Sequence, residues 1–383
     1  MMTVAQKNPS GYKQTEIGMI PVDWDVKRLD DIFSISAGRD LVKDSFSQIK
    51  DDNHTFPIYS NSLQNDGLYG YTESARHNGN SITITARGMI GKANARNHKF
   101  DAIGRVLALE PIKDLDIFYV SEYLNNRVKF SVESTGVPQL TAPQASKYLI
   151  AYPAPKEQCA IAKALFDDDV LIKKLEKLIE KKRNIKQGVM QELLTGKRRL
   201  SGFNGKLEIK KISDVCKNIT TGKLNANAMV EGGEYRFYTC AKDYYQIDRF
   251  AFDTEALLVS GNGANVGYVH YYKGKFNAYQ RTYVLSDFSA DIYFIKLFMD
   301  RNLQERIRVE VNAGNTPYIT MGTLTEMQIM IPPTKYEQTA IANILLDMDT
   351  EIEKLESQLI KYQNIKQGMM QTLLTGKIRL TSQ

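Results

Sequence analysis

Residues 157–200 read EQCAIAKALFDDDVLIKKLEKLIEKKRNIKQGVMQELLTGKRRL, and residues 337–380 read EQTAIANILLDMDTEIEKLESQLIKYQNIKQGMMQTLLTGKIRL. The two stretches align at a constant offset of 180 without a gap, and 27 of 44 positions are identical. Identity at that level means duplication. Within each copy the apolar residues alternate in steps of four and three, the seam of a long helix that packs on a partner helix. The first seam runs Ile161, Leu165, Ile172, Leu175, Ile179, Val189 and Leu193, interrupted by Asp168, Lys182 and Lys186. The second runs Ile341, Leu345, Met348, Ile352, Leu355, Leu359, Tyr362, Met369 and Leu373, interrupted by Lys366. Pro155 and Pro333 precede the helices, and Gly196 and Gly376 supply the residues that stop them. Acidic residues cluster early (Asp167 to Asp169, Asp347, Asp349) and basic ones late, as the helix dipole favours. A helix of about 40 residues is roughly 60 Å long.

Weaker correspondences lie upstream of each copy. Trp24-Asp25-Val26-Lys27-Arg28-Leu29 matches Leu207-Glu208-Ile209-Lys210-Lys211-Ile212, and Phe56-Pro57-Ile58-Tyr59-Ser60 matches Tyr235-Arg236-Phe237-Tyr238-Thr239. Lys99-Phe100-Asp101-Ala102 matches Lys275-Phe276-Asn277-Ala278, Arg105 falls opposite Arg281, and Pro138-Gln139-Leu140-Thr141 opposite Pro317-Tyr318-Ile319-Thr320. Both variable regions read as mixed α and β. Ser81-Ile82-Thr83-Ile84-Thr85 and Ala256-Leu257-Leu258-Val259-Ser260 are strands that break into glycines, and helical patterns follow near 117–130 and 291–307. The order is a first variable domain (1–155), a first helix (156–200), a second variable domain (201–332) and a second helix (333–383). The expected fold is α+β, with two globular domains separated by a pair of long antiparallel coiled-coil helices. A pseudo-two-fold axis would relate the halves, giving a dumbbell with a rigid bar.

Composition excludes several function classes. The 383 residues are 43% hydrophobic and 25% charged, ordinary for a soluble globular protein. No apolar run approaches the ~20 residues of a membrane span, and the N-terminus has no signal-peptide core, so the expected compartment is the cytoplasm. Cys159, Cys216 and Cys240 are widely spaced, and His54, His77, His98 and His270 never fall at metal-ligand spacing, so no metal site is expected. No catalytic residues are expected either. Gly88 to Ala93 lacks P-loop spacing, Gly261, Gly263 and Gly267 precede a strand-like run, and Ile331-Pro332-Pro333-Thr334 is a poor match to an adenine-methyltransferase tetrad. The net charge is +6, and residues 156–200 hold most of it, with 12 basic against 7 acidic side chains. A wholly basic DNA-coating protein is therefore disfavoured; bound DNA would need local patches or a partner's charge.

The residues then point to a family. Gly-x-Pro-x-Leu-Thr (Gly136 to Thr141), Pro153-x-Pro-x-Glu-Gln ending at Gln158, and Ala160-Ile161-Ala162 resemble the specificity subunit of type I restriction–modification systems. So do Ile185-Lys186-Gln187-Gly188, Leu193-Leu194-Thr195-Gly196-Lys197 and the opening Gly18-Met19-Ile20-Pro21-x-Asp23-Trp24-x-Val26. The second unit departs in reading Gly314-Asn315-Thr316-Pro317, one residue longer between Gly and Pro. The resemblance implies that each variable domain is a target recognition domain reading one half of a bipartite double-stranded DNA target. It implies that the helices act as a ruler for the spacer and dock two modification (methyltransferase) subunits, with restriction subunits completing an ATP-dependent nuclease. S-adenosylmethionine, ATP and Mg would belong to those partners, leaving this chain no cofactor and no catalytic role. The competing classes are a self-sufficient methyltransferase or nuclease fragment, which needs the missing motifs, and a DNA-free coiled-coil assembly protein.

The repeat also sorts candidate DNA-binding residues. Positions shared by both halves suit scaffold or phosphate contact, whereas divergent positions can read different half-sites. The segment 87–97 lies opposite 263–273, giving Arg87, Lys92, Asn94 and Arg96 in one half and Asn265, Tyr268, Tyr271 and Lys273 in the other. Gln139 opposite Tyr318 is a further divergent pair, and the shared Arg105 and Arg281 suit phosphates or internal salt bridges. The run Lys181-Lys182-Arg183 reads as a solvated helix face, or alternatively as a contact with spacer phosphates or an acidic partner.

Overall fold

Both long helices form: Pro155–Leu194, of 40 residues, and Lys335–Leu373, of 39. This computed structural model describes residues 11–131, 138–310 and 317–380; Gly136 and residues 314–316 of the two proline loops lie outside them. Pro155 is itself the first helical residue of its helix, where its missing N–H costs nothing. Each helix ends as expected. Gly196 and Gly376 both take φ +68°, and their N–H groups bond to the carbonyls of Leu193 and Leu373. A Cβ on Gly376 would sit 2.4 Å from the Pro21 ring, so only glycine fits that stop.

The chain forms two compact units, Met1–Glu176 with Ser357–Gln383, and Lys177–Glu356. The four segments read from the sequence thus regroup. Each unit joins one variable domain to the start of one long helix and the end of the other. In the first unit, four antiparallel strands lie in the order Phe33–Ala37, Leu107–Pro111, Ser81–Ile84, Ala93–Arg96. A second sheet runs Asp101–Ala102, Phe56–Tyr59, Leu68–Thr72, Phe46–Ser47. In the second unit one six-stranded sheet runs Cys216–Thr221, Thr282–Phe288, Phe252–Ser260, Val269–Ala278, Tyr235–Tyr238, Tyr245–Ile247. The repeat is visible in the pairing. Asp101–Ala102 runs parallel to Phe56–Tyr59, as Val269–Ala278 does to Tyr235–Tyr238. Likewise Asp25–Arg28 pairs with Leu149–Tyr152, and Glu208–Lys211 with Gln328–Ile331.

The seam residues do more than zip helices. Ile161 and Leu165 are core residues of the first unit, in one apolar cluster with Trp24, Ile82, Tyr119 and Leu373. Ile341 and Leu345 take the same place in the second unit, with Leu193, Ile212 and Phe294. Leu175, Ile179 and Ile352 are also buried, whereas Ile172, Met348, Leu355 and Leu359 are half-buried. Burial of each such side chain contributes roughly 1.5–3 kcal/mol, which explains why the compact units include the helix ends.

Polar groups fix the antiparallel register inside each unit. Lys366 bonds Asp169 at 2.7 Å in the first unit. In the second, Lys182 bonds Glu351 at 2.8 Å, Arg183 bonds Glu356 at 2.5 Å, and Lys186 bonds Asp349. The basic run is therefore not simply a solvated face: two of its three cations hold the opposite helix, and Lys181 is exposed.

The strongest anchors sit in the first turns. Glu157 is 4% exposed; it accepts the Trp24 indole N–H at 3.0 Å and two guanidinium N–H groups of Arg379 at 2.7 and 2.8 Å. Arg379 also grips Asp23 with two bonds, and this guanidinium holds the Asp23 carboxyl below its usual range. Glu337, 1% exposed, takes both prongs of Arg199 at 2.6 Å. Beside each glutamate a buried glutamine ties the helix to its own domain. Gln158 accepts the Asp116 N–H at 3.0 Å and donates to the Pro153 carbonyl at 2.8 Å. Gln338 accepts the Asp291 N–H at 2.8 Å and donates to the Pro332 carbonyl at 2.8 Å. Asp116 and Asp291 in turn cap the helices Ile117–Arg127 and Ile292–Glu310.

Replacing Glu157 by Ala leaves the Trp24 indole N–H without its acceptor and Arg379 with Asp23 as its remaining partner, which should cost about 3 kcal/mol. Trp24 is the only tryptophan and is fully buried, so its emission should shift to the red at lower urea in Glu157→Ala than in the parent. An unchanged urea midpoint would refute the anchor.

Candidate nucleic-acid interface

In the first unit the strand Ser81–Ile84 runs into a glycine turn. Its neck is closed by Thr85 N–H to the Lys92 carbonyl at 3.0 Å and Gly91 N–H to the Thr85 carbonyl at 2.8 Å. In the second unit the strand Phe252–Ser260 ends the same way: Ser260 N–H bonds the Tyr268 carbonyl at 2.9 Å, and Gly267 N–H bonds the Ser260 carbonyl at 2.7 Å. Gly88 and Gly91 have φ of 76° and 96°; Gly263 and Gly267 have 77° and 79°. Those left-handed positions are what the glycines are for.

A second segment closes against each turn. Leu140 N–H bonds the Ala86 carbonyl at 2.8 Å, beside an antiparallel bridge between Arg87 and Gln139. Ile319 N–H bonds the Gly261 carbonyl at 2.9 Å, beside a bridge between Asn262 and Tyr318. Buried Leu140 and Ile319 anchor these segments, and Thr141 and Thr320 cap the short helices Ala142–Ala145 and Met321–Thr325. Two loops in each unit are thus held side by side by one shared set of backbone bonds.

These bonds set the equivalences. Arg87 matches Asn262, Lys92 matches Tyr268, and Gln139 matches Tyr318. The sequence alignment placed Arg87 opposite Gly263 because the second turn is one residue longer, and Asn262 was missed. The paired glycines, 88 with 263 and 91 with 267, carried the signal that could have found it. Arg87, Lys92, Tyr268 and Tyr318 are exposed, and Gln139 and Asn262 half-buried.

Other candidates sit differently, because 93–96 and 269–273 are strand rather than loop. Arg96 is 6% exposed, its guanidinium bonded to the Thr83 hydroxyl at 3.0 Å and the Asp66 carbonyl at 2.5 Å and stacked 3.5 Å over the Tyr59 ring. It is a buried post, with no free donor face for DNA. Asn94 is half-buried on the same strand. Asn265 donates to the Cys240 carbonyl at 3.1 Å. Tyr271 donates to Glu255 at 2.7 Å and packs on Tyr293, and burial with these bonds pushes its phenol far above the ordinary value. Lys273 is exposed opposite Glu255 in the sheet. Arg105 and Arg281 are exposed, and among the described residues neither forms the internal salt bridge considered for it.

Among the described residues, no group of three or more His, Cys, Asp or Glu is placed to hold a metal ion, and no helix is long and apolar enough to cross a membrane. The family described as the type I restriction modification DNA specificity domain matches residues 21–186 and again 204–362. The chain belongs to that family and carries its domain twice. The family's role is DNA specificity, a recognition role and not a catalytic one. The EcoDI specificity subunit of Escherichia coli is 36% identical over 157 residues, 41% of this chain but only 34% of that protein. The MjaVIII specificity subunit of Methanocaldococcus jannaschii is 22% identical over 419 residues, 96% of both chains. The type I S subunit from M. genitalium shares the fold, with a TM-score of 0.68 at 16% identity over 97% of this chain and 99% of that one. A chain from a type I system solved for its complex assembly and conformational transition gives 0.52 at 13% identity, covering 94% and 99%. The expected family and its α+β fold with two recognition domains are thereby established.

The two histidines flanking these frames give a pH test. Burial lowers both His98 and His270 below 6.5, with Arg96 adding to the effect at His98. His270 Nε2 is 3.0 Å from the Ala241 carbonyl and must donate to it, which a neutral ring does. Protonation favours the unfolded chain, so stability should fall as pH drops below about 6.5 and level off below the folded-state values. An NMR titration should find both midpoints below 6.5; a midpoint at or above that value for His270 would contradict the half-buried neutral ring.

Proposed function

We propose that this chain is the DNA sequence-specificity subunit of a type I restriction–modification complex, reading a bipartite target with one half-site per unit. One observation carries the reading: the same set of closing backbone bonds presents Arg87, Lys92 and Gln139 in one unit and Asn262, Tyr268 and Tyr318 in the other. A shared frame with divergent tips is what two readers of two different half-sites require, since base edges are distinguished by side-chain donors and acceptors. Arg87 suits guanine, whose major-groove edge offers two acceptors; Gln139 and Asn262 suit adenine. Arg105, Arg281 and Lys273, exposed and cationic, suit phosphates. Asn94 is half-buried in the strand that follows the first turn, and Asn265 is half-buried within the second turn.

The long helices then act as the ruler between half-sites and as docking surfaces for two modification subunits, with restriction subunits joining outside them. S-adenosylmethionine, ATP and Mg belong to those partners, and the complex works in the cytoplasm, where its DNA is. A net charge of +6 over 383 residues supplies little phosphate attraction, so the partners must add it.

Methylated genomic DNA from cells carrying this chain with its modification subunit should show a two-part motif. The double variant Arg87→Ala, Gln139→Ala should relax one half-site, at roughly 1–3 kcal/mol for each lost base contact. The double variant Asn262→Ala, Tyr318→Ala should relax the other half-site and spare the first. A motif with one continuous part, or one that both variants leave intact, would refute the reading.

A further inference from the structure

We infer that a third loop in each unit, residues 61–66 in the first and 241–244 in the second with Tyr245 at the start of the strand that follows it, is a base-reading element beside the two loops already described. This rests on the proposal that the units read DNA. The first loop is tied directly to the reading frame. The Asn61 side chain accepts the Ala86 N–H at 2.7 Å, one residue before Arg87, and donates to the Gly104 carbonyl. Ser60 N–H closes the loop on the Gly67 carbonyl at 2.8 Å. Buried Arg96 reaches up from the neighbouring strand to the Asp66 carbonyl, which gives that buried cation its purpose. Asn65 and Asp66 both stand at positive φ, 48° and 53°, a conformation held by those bonds.

The second loop is tied to its own frame by unrelated side chains. Asn265, inside the second glycine turn, donates to the Cys240 carbonyl at 3.1 Å, and His270 Nε2 donates to the Ala241 carbonyl at 3.0 Å. Tyr244 is braced beneath the Arg236 guanidinium, 4.2 Å from its ring centre. In both units, then, the loop base is fixed to the frame while the tip is left open: Ser62 to Asp66 in one, Lys242 to Tyr245 in the other, all exposed.

Tip chemistry points to base edges. The first tip is Ser62-Leu63-Gln64-Asn65-Asp66, with no cation and one carboxylate, so phosphate gripping is excluded as its purpose. Its amides match the adenine edge, Asp66 can accept from the cytosine amino group, and Leu63, 49% exposed, can meet a thymine methyl. The second tip replaces these with Lys242, Asp243, Tyr244 and Tyr245, which suit a different sequence.

The test uses the full chain purified with its co-expressed modification subunit and a synthetic duplex library randomised across the target. Gln64→Ala should lower discrimination by roughly 5- to 150-fold at one or two positions of one half-site and leave the other half-site unchanged. Lys242→Ala should do the converse. The tips are exposed, so melting temperatures should match the parent. Variants that select the parent motif, or that lose affinity equally for every sequence, would overturn the third element while leaving the reading of DNA intact. A parent complex that selects no two-part motif would overturn both.

Discussion

A buried carboxylate gripped by a two-pronged guanidinium organises each half of this protein. Glu157 and Glu337 sit in the first turns of the long helices, and Arg379 and Arg199 come from the tails that follow the opposite helices. Each pair lies inside one compact unit, so each unit contains a domain, one helix start and one helix tail welded together. A carboxylate this buried is tolerable only when fully partnered, and the partners are supplied by segments about 140 to 220 residues away in sequence. Deep burial beside an Arg fork gives a geometry that a surface ion pair lacks. The neighbouring glutamines complete the joint by capturing the N–H of the aspartate that caps a helix of the preceding domain.

The reading frames rest on a different economy. Their glycines and backbone hydrogen bonds belong to both units, while their exposed side chains are particular to each. Backbone geometry holds position, and the tips are free to change without disturbing the core. Arg96 shows the limit of that freedom. Its charge points inward, stacked on Tyr59 and bonded to the backbone of another loop.

The helices and their duplication were legible because an apolar seam and a long run of identities survive any reading of composition. So were the strands before each glycine turn, and the equivalence of 99–102 with 275–278, which the sheets reproduce. Arg96 misled because a strand following a turn carries the same residue types as a loop, and only pairing shows which face it takes. Asn262 was missed because a one-residue insertion shifts the alignment across the turn alone. Arg199 and Arg379 stood inside the identical stretch as basic residues among several, and nothing local marks them as the partners of Glu337 and Glu157. The helix starts as core elements were also hidden: a heptad seam announces a partner helix, yet Ile161 and Ile341 spend their burial on the recognition domains as well.

The most direct test of two frames reading one DNA is hydrogen–deuterium exchange of the chain with its modification subunit, with and without a duplex bearing the target. The account predicts slowed exchange at 87–92 and 138–140 in the first unit and at 261–268 and 317–319 in the second, with the helix starts at 157–165 and 337–345 unchanged. Protection confined to one unit, or absent from all four loops while DNA is bound, would contradict it.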